Sequence, residues 1–246
     1  MIIIPDTHGR DFWMKPVEES LGKEHILFLG DYLDHYEGEW VRREDVFPRF
    51  EKILQLKREH PDDVTLLLGN HDLHYVDRRL DGGRFDILHA ARNKAAFLDN
   101  AALFQIAYEM TVGGTRVLFT HAGVQLAWLA KHKDMLDLAH AVNIADCLNK
   151  LWWDETRRPD LLKALGDVPY SRWGNCRYGS PVWNDVDDFA EGKEELPGYV
   201  QIFGHSQQEY APVITDYYAC LDCRRAFRLT EEGIIQEYDL GSCDES

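Results

Sequence analysis

The sequence has few cysteines, no long apolar run and no basic leader. Its five cysteines are an odd number and lie far apart along 246 residues, so we expect reduced thiols and no disulfide scaffold. Cys220 and Cys223 form a C-x-x-C, but a zinc site of this kind needs a second pair, which the sequence lacks. No apolar run approaches the roughly 18 residues of a membrane span. Since no basic residues precede the apolar Ile2–Ile4 either, we expect a cytoplasmic protein with no membrane partner.

Positive charge is also scarce. The chain has 27 Lys and Arg against 43 Asp and Glu, which gives a formal net charge of -16. A surface of that sign repels nucleic acid, so we do not expect nucleic acid as a partner, and a phosphorylated ligand would need locally concentrated positive charge. The length and the 45% hydrophobic content predict one domain over residues 1–246.

Three common phosphate and calcium motifs are missing. The chain has no G-x-x-x-x-G-K-[ST] P-loop. An EF-hand loop that began at Asp31 would have the apolar Leu33 where an oxygen ligand is needed. At the first apolar run, His8 stands where an Asp-x-Asp phosphatase would have its second aspartate. These absences exclude P-loop nucleotide binding, EF-hand calcium binding and an aspartyl-phosphate mechanism at these positions.

Five short apolar runs each end in polar residues. Runs of this kind predict strands that are buried on both faces and covered by helices. The polar side chains that follow such strands gather at the carboxyl ends of the sheet, where ligands bind. The runs and their endings are Ile2–Ile4 before Asp6 and His8, Ile26–Leu29 before Gly30-Asp31, Val64–Leu68 before Gly69-Asn70, Val117–Phe119 before Thr120-His121, and Tyr199–Phe203 before Gly204-His205.

The remaining segments predict helices and a closing hairpin. Between the second and third runs, Val46, Phe50 and Leu54 recur at helical spacing, and residues 60–63 (His-Pro-Asp-Asp) end that helix. Residues 125–187 are rich in tryptophan, and we interpret them as a helical insertion over the site. The segments 217–229 and 234–238 predict a hairpin whose turn is Glu232-Gly233.

The polar endings combine carboxylates, imidazoles and an amide. Such a mixed oxygen and nitrogen ligand set suits Mn, Fe or Zn better than Ca, and the inventory is sufficient for two ions that share one carboxylate. Two ions roughly 3.5–4 Å apart can polarise a phosphoryl oxygen and lower the pKa of a bridging water. The alternative is that Asp6, Asp31 and Asn70 are only turn or cap residues, although this would not explain their pairing with His8, Asp34 and His71.

Five motifs in this order resemble those of the calcineurin-like metallophosphoesterase superfamily, and most closely its phosphoprotein phosphatase branch. They are Asp6-x-His8, Gly30-Asp31-x-x-Asp34, Gly69-Asn70-His71-Asp72, His121-Ala-Gly123 and Gly204-His205. The resemblance implies an α/β fold, a four-layered α/β/β/α sandwich of two mixed sheets. It also implies two divalent metal ions, with manganese as the first choice and Fe or Zn as alternatives. The implied ligands are Asp6, His8 and Asp31 for one ion and Asp31, Asn70, His121 and His205 for the other.

By the same resemblance, Asp31 bridges the ions and His71 donates a proton to the leaving alcohol, oriented by Asp34. The implied activity is hydrolysis of phosphomonoesters by attack of a metal-bound hydroxide, with serine/threonine phosphoproteins or small phosphorylated molecules as substrates. Two alternatives stay open: a dinucleoside polyphosphate hydrolase or phosphodiesterase that uses the same site, and a non-catalytic member that binds metal or a partner. A scaffold has no need of His71 and Asp34, so their presence favours an enzyme.

One position departs from the phosphatase pattern. The family reads Gly-Asp-x-x-Asp-Arg-Gly, where the arginine binds the substrate phosphate, whereas this chain reads Asp34-His35-Tyr36. Another cationic group must take over if phosphate is to be held in the same way. The candidates from sequence are Arg172, Arg177, Arg10 and His35 itself. Arg172 and Arg177 could equally pair with the acidic surface of their own protein.

Overall fold

The computed structural model describes residues 1–80, 82–152, 159–192 and 196–239. Its strands are β1 (Ile2–Ile4), β2 (Ile26–Phe28), β3 (Val64–Leu67), β4 (Phe104–Gln105), β5 (Ala107–Val112), β6 (Thr115–Thr120), β7 (Tyr199–Phe203), β8 (Val213–Ile214), β9 (Tyr218–Cys220), β10 (Phe227–Leu229) and β11 (Ile235–Glu237). Its α-helices are α1 (Met14–Ser20), α2 (Arg43–Glu59), α3 (Asn70–Val76), α4 (Ala90–Asp99), α5 (Leu126–Leu136), α6 (Ile144–Asn149), α7 (Pro159–Ala164) and α8 (Val186–Gly192).

The strands form two mixed sheets. The first has the order β11-β10-β1-β2-β3-β4, in which β1 to β4 run parallel and β10 and β11 are antiparallel. The second has the order β5-β6-β7-β9-β8, with a parallel centre and antiparallel strands at both edges. This arrangement confirms the expected α/β fold with two mixed sheets.

The two sheets pack face to face, and helices cover their outer faces. Ile3 and Leu27 of the first sheet lie in one buried cluster with Phe119 of the second. Their neighbours along the strands, such as Ile4, point the other way and pack with Phe50 of α2. Both faces of the central strands are therefore buried, which explains why their sequences are continuously apolar.

The predicted helix between the second and third runs is confirmed as α2, which ends where its C-cap residue, His60, begins the His-Pro turn. The predicted closing hairpin is confirmed only for β10 and β11. The prediction of one continuous strand over 217–229 is wrong. This segment contains two strands, of which β9 belongs to the second sheet and β10 to the first. The chain crosses between the sheets after β9, and Arg224 in this crossover has a positive φ of 62°.

The described part of residues 125–187 is helical, with an isolated bridge between Pro169 and Cys176 in place of any strand. Its interpretation as an insertion stays a prediction. Asp167, which follows α7, connects this part of the segment to α5, since it accepts hydrogen bonds from Trp128 Nε1 (3.0 Å) and from His132 Nε2 (2.8 Å).

The described cysteines are free thiols, as expected, while Cys243 and Trp153 lie outside the described residues. Among the described helices, none is both long and apolar enough to cross a membrane.

Candidate metal centre

The carboxyl ends of five strands meet at one place, although the strands belong to two sheets. Asp6 and His8 follow β1, and Asp31 follows β2. Asn70 and His71 are the first residues of α3, directly after β3. His121 and His205 follow β6 and β7 of the second sheet. The structure thus brings together all the residues that the motifs predict as metal ligands.

Asp6, His8 and Asp31 form one potential ligand group, whose donor atoms all lie within 4.8 Å of one another. Its imidazole nitrogen His8 Nε2 lies 3.5 Å from Asp31 Oδ2. His8 Nδ1 donates to the carbonyl oxygen of Leu33 at 2.9 Å. Because this hydrogen bond places the proton on Nδ1, the lone pair of Nε2 faces the two carboxylates, as a metal ligand requires.

Asp31, His121 and His205 form a second such group, again within 4.8 Å. His121 Nε2 lies 3.5 Å from Asp31 Oδ2, 3.1 Å from Asn70 Oδ1 and 3.2 Å from His205 Nδ1. His121 Nδ1 donates to the carbonyl oxygen of Leu29 at 2.8 Å, which again directs Nε2 inward. Asp31 is common to both groups, so its side chain is the one that lies between them.

The charges in this cluster fit divalent cations. Asp6 and Asp31 are each 1% exposed, and the ion-pair partners that the described chain offers Asp31 are imidazoles. Burial raises the pKa of Asp6. Burial would also raise the pKa of Asp31, but His121 and His71 hold it well below its usual range. Burial alone would lower the pKa of His121, yet Asp31 and Asp6 raise it to about 10. A bound cation would supply the positive charge that the carboxylates otherwise draw from imidazole.

Two glycines allow the close approach of these groups. A Cβ atom on Gly69 would collide with Asp31 Oδ1, and one on Gly204 would collide with Asp6 Oδ1. The glycine that precedes Asn70 and the one that precedes His205 are therefore required by the packing of carboxylates from neighbouring strands. His205 directs Nδ1 toward the cluster, 3.2 Å from His121 Nε2, so Nδ1 is the ring nitrogen that could bind a metal.

Backbone strain is concentrated at the same place. His8, Asp31, Asp34 and His205 all have φ between 44° and 64°, in the left-handed region that non-glycine residues rarely adopt. Each such residue costs about 1–3 kcal/mol and persists only where the surroundings fix it. Arg84, outside every motif, shares this conformation at φ 49°. Strain of this kind clusters at functional sites, so it supports a functional interpretation of the cluster.

His71 is held beside the metal cluster by Asp34. His71 Nδ1 donates to Asp34 Oδ2 at 3.0 Å, and the backbone N–H of His71 donates to Asp31 Oδ1 at 2.9 Å. Burial would raise the pKa of Asp34, but its hydrogen bonds with His71 and His74 lower it overall. Asp34 therefore stays ionised and fixes both the tautomer and the orientation of the His71 ring.

Sequence reasoning missed two further partners of Asp34. His74 Nε2 lies 2.7 Å from Asp34 Oδ2, and the Tyr75 hydroxyl donates to Asp34 Oδ1. Both residues lie on α3, three and four positions after His71 and therefore on the same helix face. The spacing of three and four residues could have indicated that His74 and Tyr75 lie beside His71, but the sequence analysis predicted no helix at α3.

Arg84 was also missed, and it contacts the site most directly. Its Nη1 donates to the carbonyl oxygen of Asp34 at 2.7 Å, and its Nη2 lies 3.0 Å from His71 Nε2. A guanidinium can only donate, so His71 Nε2 is the acceptor of that bond. The guanidinium carbon also lies 3.5 Å from the centre of the Tyr36 ring. No motif surrounds Arg84, and only the fold brings it to His71.

The candidate phosphate-binding residues from sequence are placed differently from one another. Arg10 donates to both carboxylate oxygens of Glu39 (2.7 and 2.9 Å) and to the Asp6 carbonyl, so its guanidinium is already engaged beside the cluster. Arg172 pairs with Asp185 and donates to Ser206 Oγ at 2.8 Å, next to His205. Arg177 is exposed and lies over the ring of Tyr178. His35 is half-buried and lines a cleft next to Asp34.

Two other buried carboxylates lie near the cluster. Asp72 accepts hydrogen bonds from the backbone N–H groups of Asp31, Tyr32 and Gly69 at 2.8–3.0 Å, which gives it a structural role in holding the turn after β2. Asp222 Oδ1 is buried and has no hydrogen-bond partner among the described residues. Burial, and after it the nearby Asp6, raises the pKa of Asp222 well above its usual range.

Comparison with known proteins agrees with this site. The family model for calcineurin-like phosphoesterases matches residues 1–209. A symmetrical bis(5'-nucleosyl)-tetraphosphatase from Paracidovorax citrulli (strain AAC00-1) is 28% identical over 177 residues, which are 69% of this chain and 56% of that protein. The chain thus spans about half the length of this curated relative.

A solved structure of a protein serine/threonine phosphatase from Saccharomyces cerevisiae, with similarity to human phosphatase PP5, has the same fold. It matches 99% of this chain and 81% of its own with a TM-score of 0.56, at 14% identity. An identity this low shows the fold alone. The family match, in contrast, covers most of the sequence and includes all five motifs. The chain therefore belongs to the calcineurin-like phosphoesterase family.

Proposed function

We propose that this chain is a hydrolase of phosphoric esters that depends on two divalent metal ions and hydrolyses phosphomonoesters. The observation that carries the proposal is that Asp31 belongs to two ligand groups at once, directly beside a histidine that a carboxylate orients. Asp6, His8 and Asp31 would hold one ion, and Asp31, Asn70, His121 and His205 the other. Manganese is the first candidate, with Fe or Zn as alternatives.

Each part of the site has a separate task in this proposal. Two bound divalent ions would polarise a phosphoryl oxygen and lower the pKa of a bound water. In the described arrangement His71 Nε2 accepts a hydrogen bond from Arg84, so the ring must take up a proton there once Arg84 turns to the substrate. His71 then gives this proton from Nε2 to the leaving oxygen, while Asp34 holds the opposite ring nitrogen, Nδ1. His74 and Tyr75 position Asp34 and act only through it.

Arg84 is assigned to the substrate phosphate. Its Nη2 contacts His71 Nε2, the atom that must face the leaving oxygen, so this guanidinium lies where the reacting group would enter. For His71 Nε2 to face the leaving oxygen, Arg84 must turn its N–H donors away from His71 and toward the substrate phosphate. The Tyr36 ring beneath the guanidinium supports such a position. Arg84 would thus replace the arginine that the phosphatase pattern has at His35.

A second candidate reaction is hydrolysis of a phosphoanhydride. The relative named as a bis(5'-nucleosyl)-tetraphosphatase favours it, although the alignment covers only 56% of that protein. The same metal ligands and the same histidine would serve both reactions, because each displaces an oxygen from phosphorus. The proposed substrates therefore include both phosphoproteins and small phosphorylated molecules.

Metal removal and restoration test the proposed function. Protein freed of metal with a chelator should not hydrolyse p-nitrophenyl phosphate, and added Mn²⁺ should restore turnover as two equivalents bind. Metal analysis and the hydrolysis assay are performed on the same samples, with Fe²⁺ and Zn²⁺ in parallel. If two equivalents bind but no phosphomonoester, phosphodiester or dinucleoside polyphosphate is hydrolysed, the chain is a non-catalytic member.

We expect Arg84→Gln to lower kcat/KM for p-nitrophenyl phosphate by about 100-fold, as the loss of one fixed donor to developing charge does in other enzymes. Arg84→Lys should recover little, because an ammonium cannot reproduce the planar fork of the guanidinium. Arg225→Gln is the matched control, since it removes an exposed arginine that pairs with Glu237 away from the site. Equal activities of Arg84→Gln and Arg225→Gln would contradict the assignment.

A further inference from the structure

A cleft of about 780 Å³ is lined by Asp34 and Arg84, two residues whose side chains hydrogen-bond the proposed proton donor, His71. His35 also lines it, together with residues of α2, of α4 and of the segment that leads into α4. Because Arg84 contacts His71 Nε2, the cleft lies on the side of the site where a leaving group would depart. Its size is within the range of about 300–1,000 Å³ that is usual for small-molecule sites.

Three arginines line this cleft, and none of them pairs with a carboxylate of the described chain. Arg43 of α2 has no hydrogen-bond or ion-pair partner among the described residues. Arg92 of α4 donates to Asn93 Oδ1 at 3.2 Å, and Arg84 donates to the Asp34 carbonyl and to His71. Elsewhere in this acidic protein, arginines that do pair with carboxylates are Arg10, Arg42, Arg49, Arg79, Arg116, Arg172, Arg224, Arg225 and Arg228.

The carboxylates of the cleft are mostly engaged with other groups. Asp34 is held by His71 and His74, and Asp86 Oδ2 lies 2.6 Å from His89 Nδ1. Glu44 lies 3.8 Å from a guanidinium nitrogen of Arg42, outside the cleft. Among the described carboxylates that line the cleft, only Glu37 has no hydrogen-bond or ion-pair partner. The three guanidinium groups therefore outweigh the free carboxylate, in a chain whose formal net charge is -16.

The cleft also offers apolar surface. The Arg92 guanidinium lies 3.8 Å from the centre of the Phe47 ring. Ile87 and Leu88, at the rim, are 78% and 77% exposed, which is unusual for side chains of this size. A ligand that combines phosphate with an apolar or aromatic body would contact both kinds of surface.

Resting on the proposed function, we propose that this cleft binds the leaving group and selects leaving groups that carry a phosphate of their own. The preferred substrate is then a phosphoanhydride, and the departing half is a phosphate such as a nucleoside phosphate. Water adds a hydroxyl to the attacked phosphorus, and the bond from that phosphorus to the bridging oxygen breaks. The bridging oxygen keeps the electron pair and becomes a terminal oxygen of the departing phosphate, while the second proton of the water is released.

A phosphopeptide fits the cleft less well. Its leaving group is a neutral serine or threonine side chain, which offers Arg43 and Arg92 no opposite charge beside the reacting phosphate. A phosphate on the leaving side would instead make charge-assisted hydrogen bonds to Arg43 and Arg92, which are among the strongest polar contacts in proteins. Charge complementarity therefore favours the phosphorylated leaving group.

The test compares substrates that differ in their leaving group, using the metal-loaded full chain. The substrates are p-nitrophenyl phosphate, inorganic pyrophosphate, diadenosine tetraphosphate and a phosphoserine peptide. Each charge-assisted contact is worth about tenfold in binding, so Arg43→Gln/Arg92→Gln should lower kcat/KM for diadenosine tetraphosphate by about 100-fold. The loss on p-nitrophenyl phosphate should be smaller, so the ratio of the two kcat/KM values should fall at least about tenfold. Pyrophosphate separates the contribution of the phosphate from that of the organic body.

The matched control is Arg58→Gln/Lys94→Gln, which removes one positive charge from each of the same two helices but outside the cleft. It should keep the wild-type ratio. An unchanged ratio in Arg43→Gln/Arg92→Gln, with p-nitrophenyl phosphate still hydrolysed by wild type, would overturn the cleft assignment and leave the proposed function intact. A selective loss on the phosphopeptide would overturn it in favour of a peptide site.

Binding of ADP, measured by calorimetry on the metal-loaded protein, provides a readout that needs no turnover. We expect its Kd to rise about tenfold or more in Arg43→Gln/Arg92→Gln and to stay at the wild-type value in the control. If wild type hydrolyses no substrate at all, the proposed function fails, and ADP binding still decides whether the cleft holds a phosphate. Equal ADP affinities in the two double variants would reject the cleft in that case.

Discussion

Replacement of Asp31 by asparagine should abolish phosphoester hydrolysis and weaken both metal positions at once. Asp31 is the residue that belongs to both ligand groups, with Oδ2 lying 3.5 Å from His8 Nε2 and 3.5 Å from His121 Nε2. Loss of its negative charge should reduce metal affinity by more than the about 10- to 100-fold that changes around metal ligands typically cost. The amide oxygen of asparagine can still accept the hydrogen bond from the His71 backbone, so the turn should be preserved.

Asp6→Asn is the matched comparison for this variant. Asp6 lies in one group only and is equally buried, so its loss should weaken one equivalent of metal more than the other. Metal content, calorimetric titration with Mn²⁺ and thermal unfolding of the metal-free proteins separate ligand loss from misfolding. If Asp31→Asn retained one metal equivalent at wild-type affinity, Asp31 would not bridge the two ions.

The sequence predicted the strands that carry the site, because burial on both faces makes them continuously apolar. Ile2–Ile4 coincides with β1, and the runs that begin at Ile26 and Val64 correspond to β2 and β3. Each of these strands is followed within a few residues by the polar side chains of the cluster. Strand burial and strand-end chemistry are both local in sequence, so a single sequence suffices to recognise them.

The division of those strands between two sheets was not visible in their local patterns. A buried strand has the same apolar pattern in either sheet, so the local pattern does not assign β6 and β7 to the second sheet. The crossover after β9 was missed for the same reason: the polar residues 222–225 read as part of a strand, whereas they pass between two sheets. Tertiary packing decides such cases.

Arg84 illustrates the largest gap between sequence and site. It lies in the loop after α3, and its contact with His71 Nε2 depends on the path of that loop and on the Tyr36 ring beneath it. The presence of His35 in place of an arginine indicated that another cationic group would be needed to hold phosphate in the same way. It could not indicate which one, because an arginine reaches the site through space from any nearby loop.

The remaining large effect concerns the proposed proton donor. His71→Asn should lower kcat for an alkyl phosphomonoester by about 10²- to 10⁴-fold, the usual contribution of general acid catalysis. Metal content should stay at two equivalents, because the His71 side chain belongs to neither of the groups that contain Asp31. His60→Asn, at the end of α2 and away from the cluster, is the matched control and should retain wild-type activity.

The dependence on the leaving group distinguishes an acid from a structural residue. An alkoxide needs a proton as it departs, whereas p-nitrophenolate is stable enough to leave without one. His71→Asn should therefore lose far more activity on an alkyl phosphate than on p-nitrophenyl phosphate. His74→Asn, which acts through Asp34, should change both substrates in the same direction with a smaller total loss. If His71→Asn lost equal activity on both substrates, or lost metal in proportion to activity, the ring would be a structural support for the metal centre and the proton would come from elsewhere.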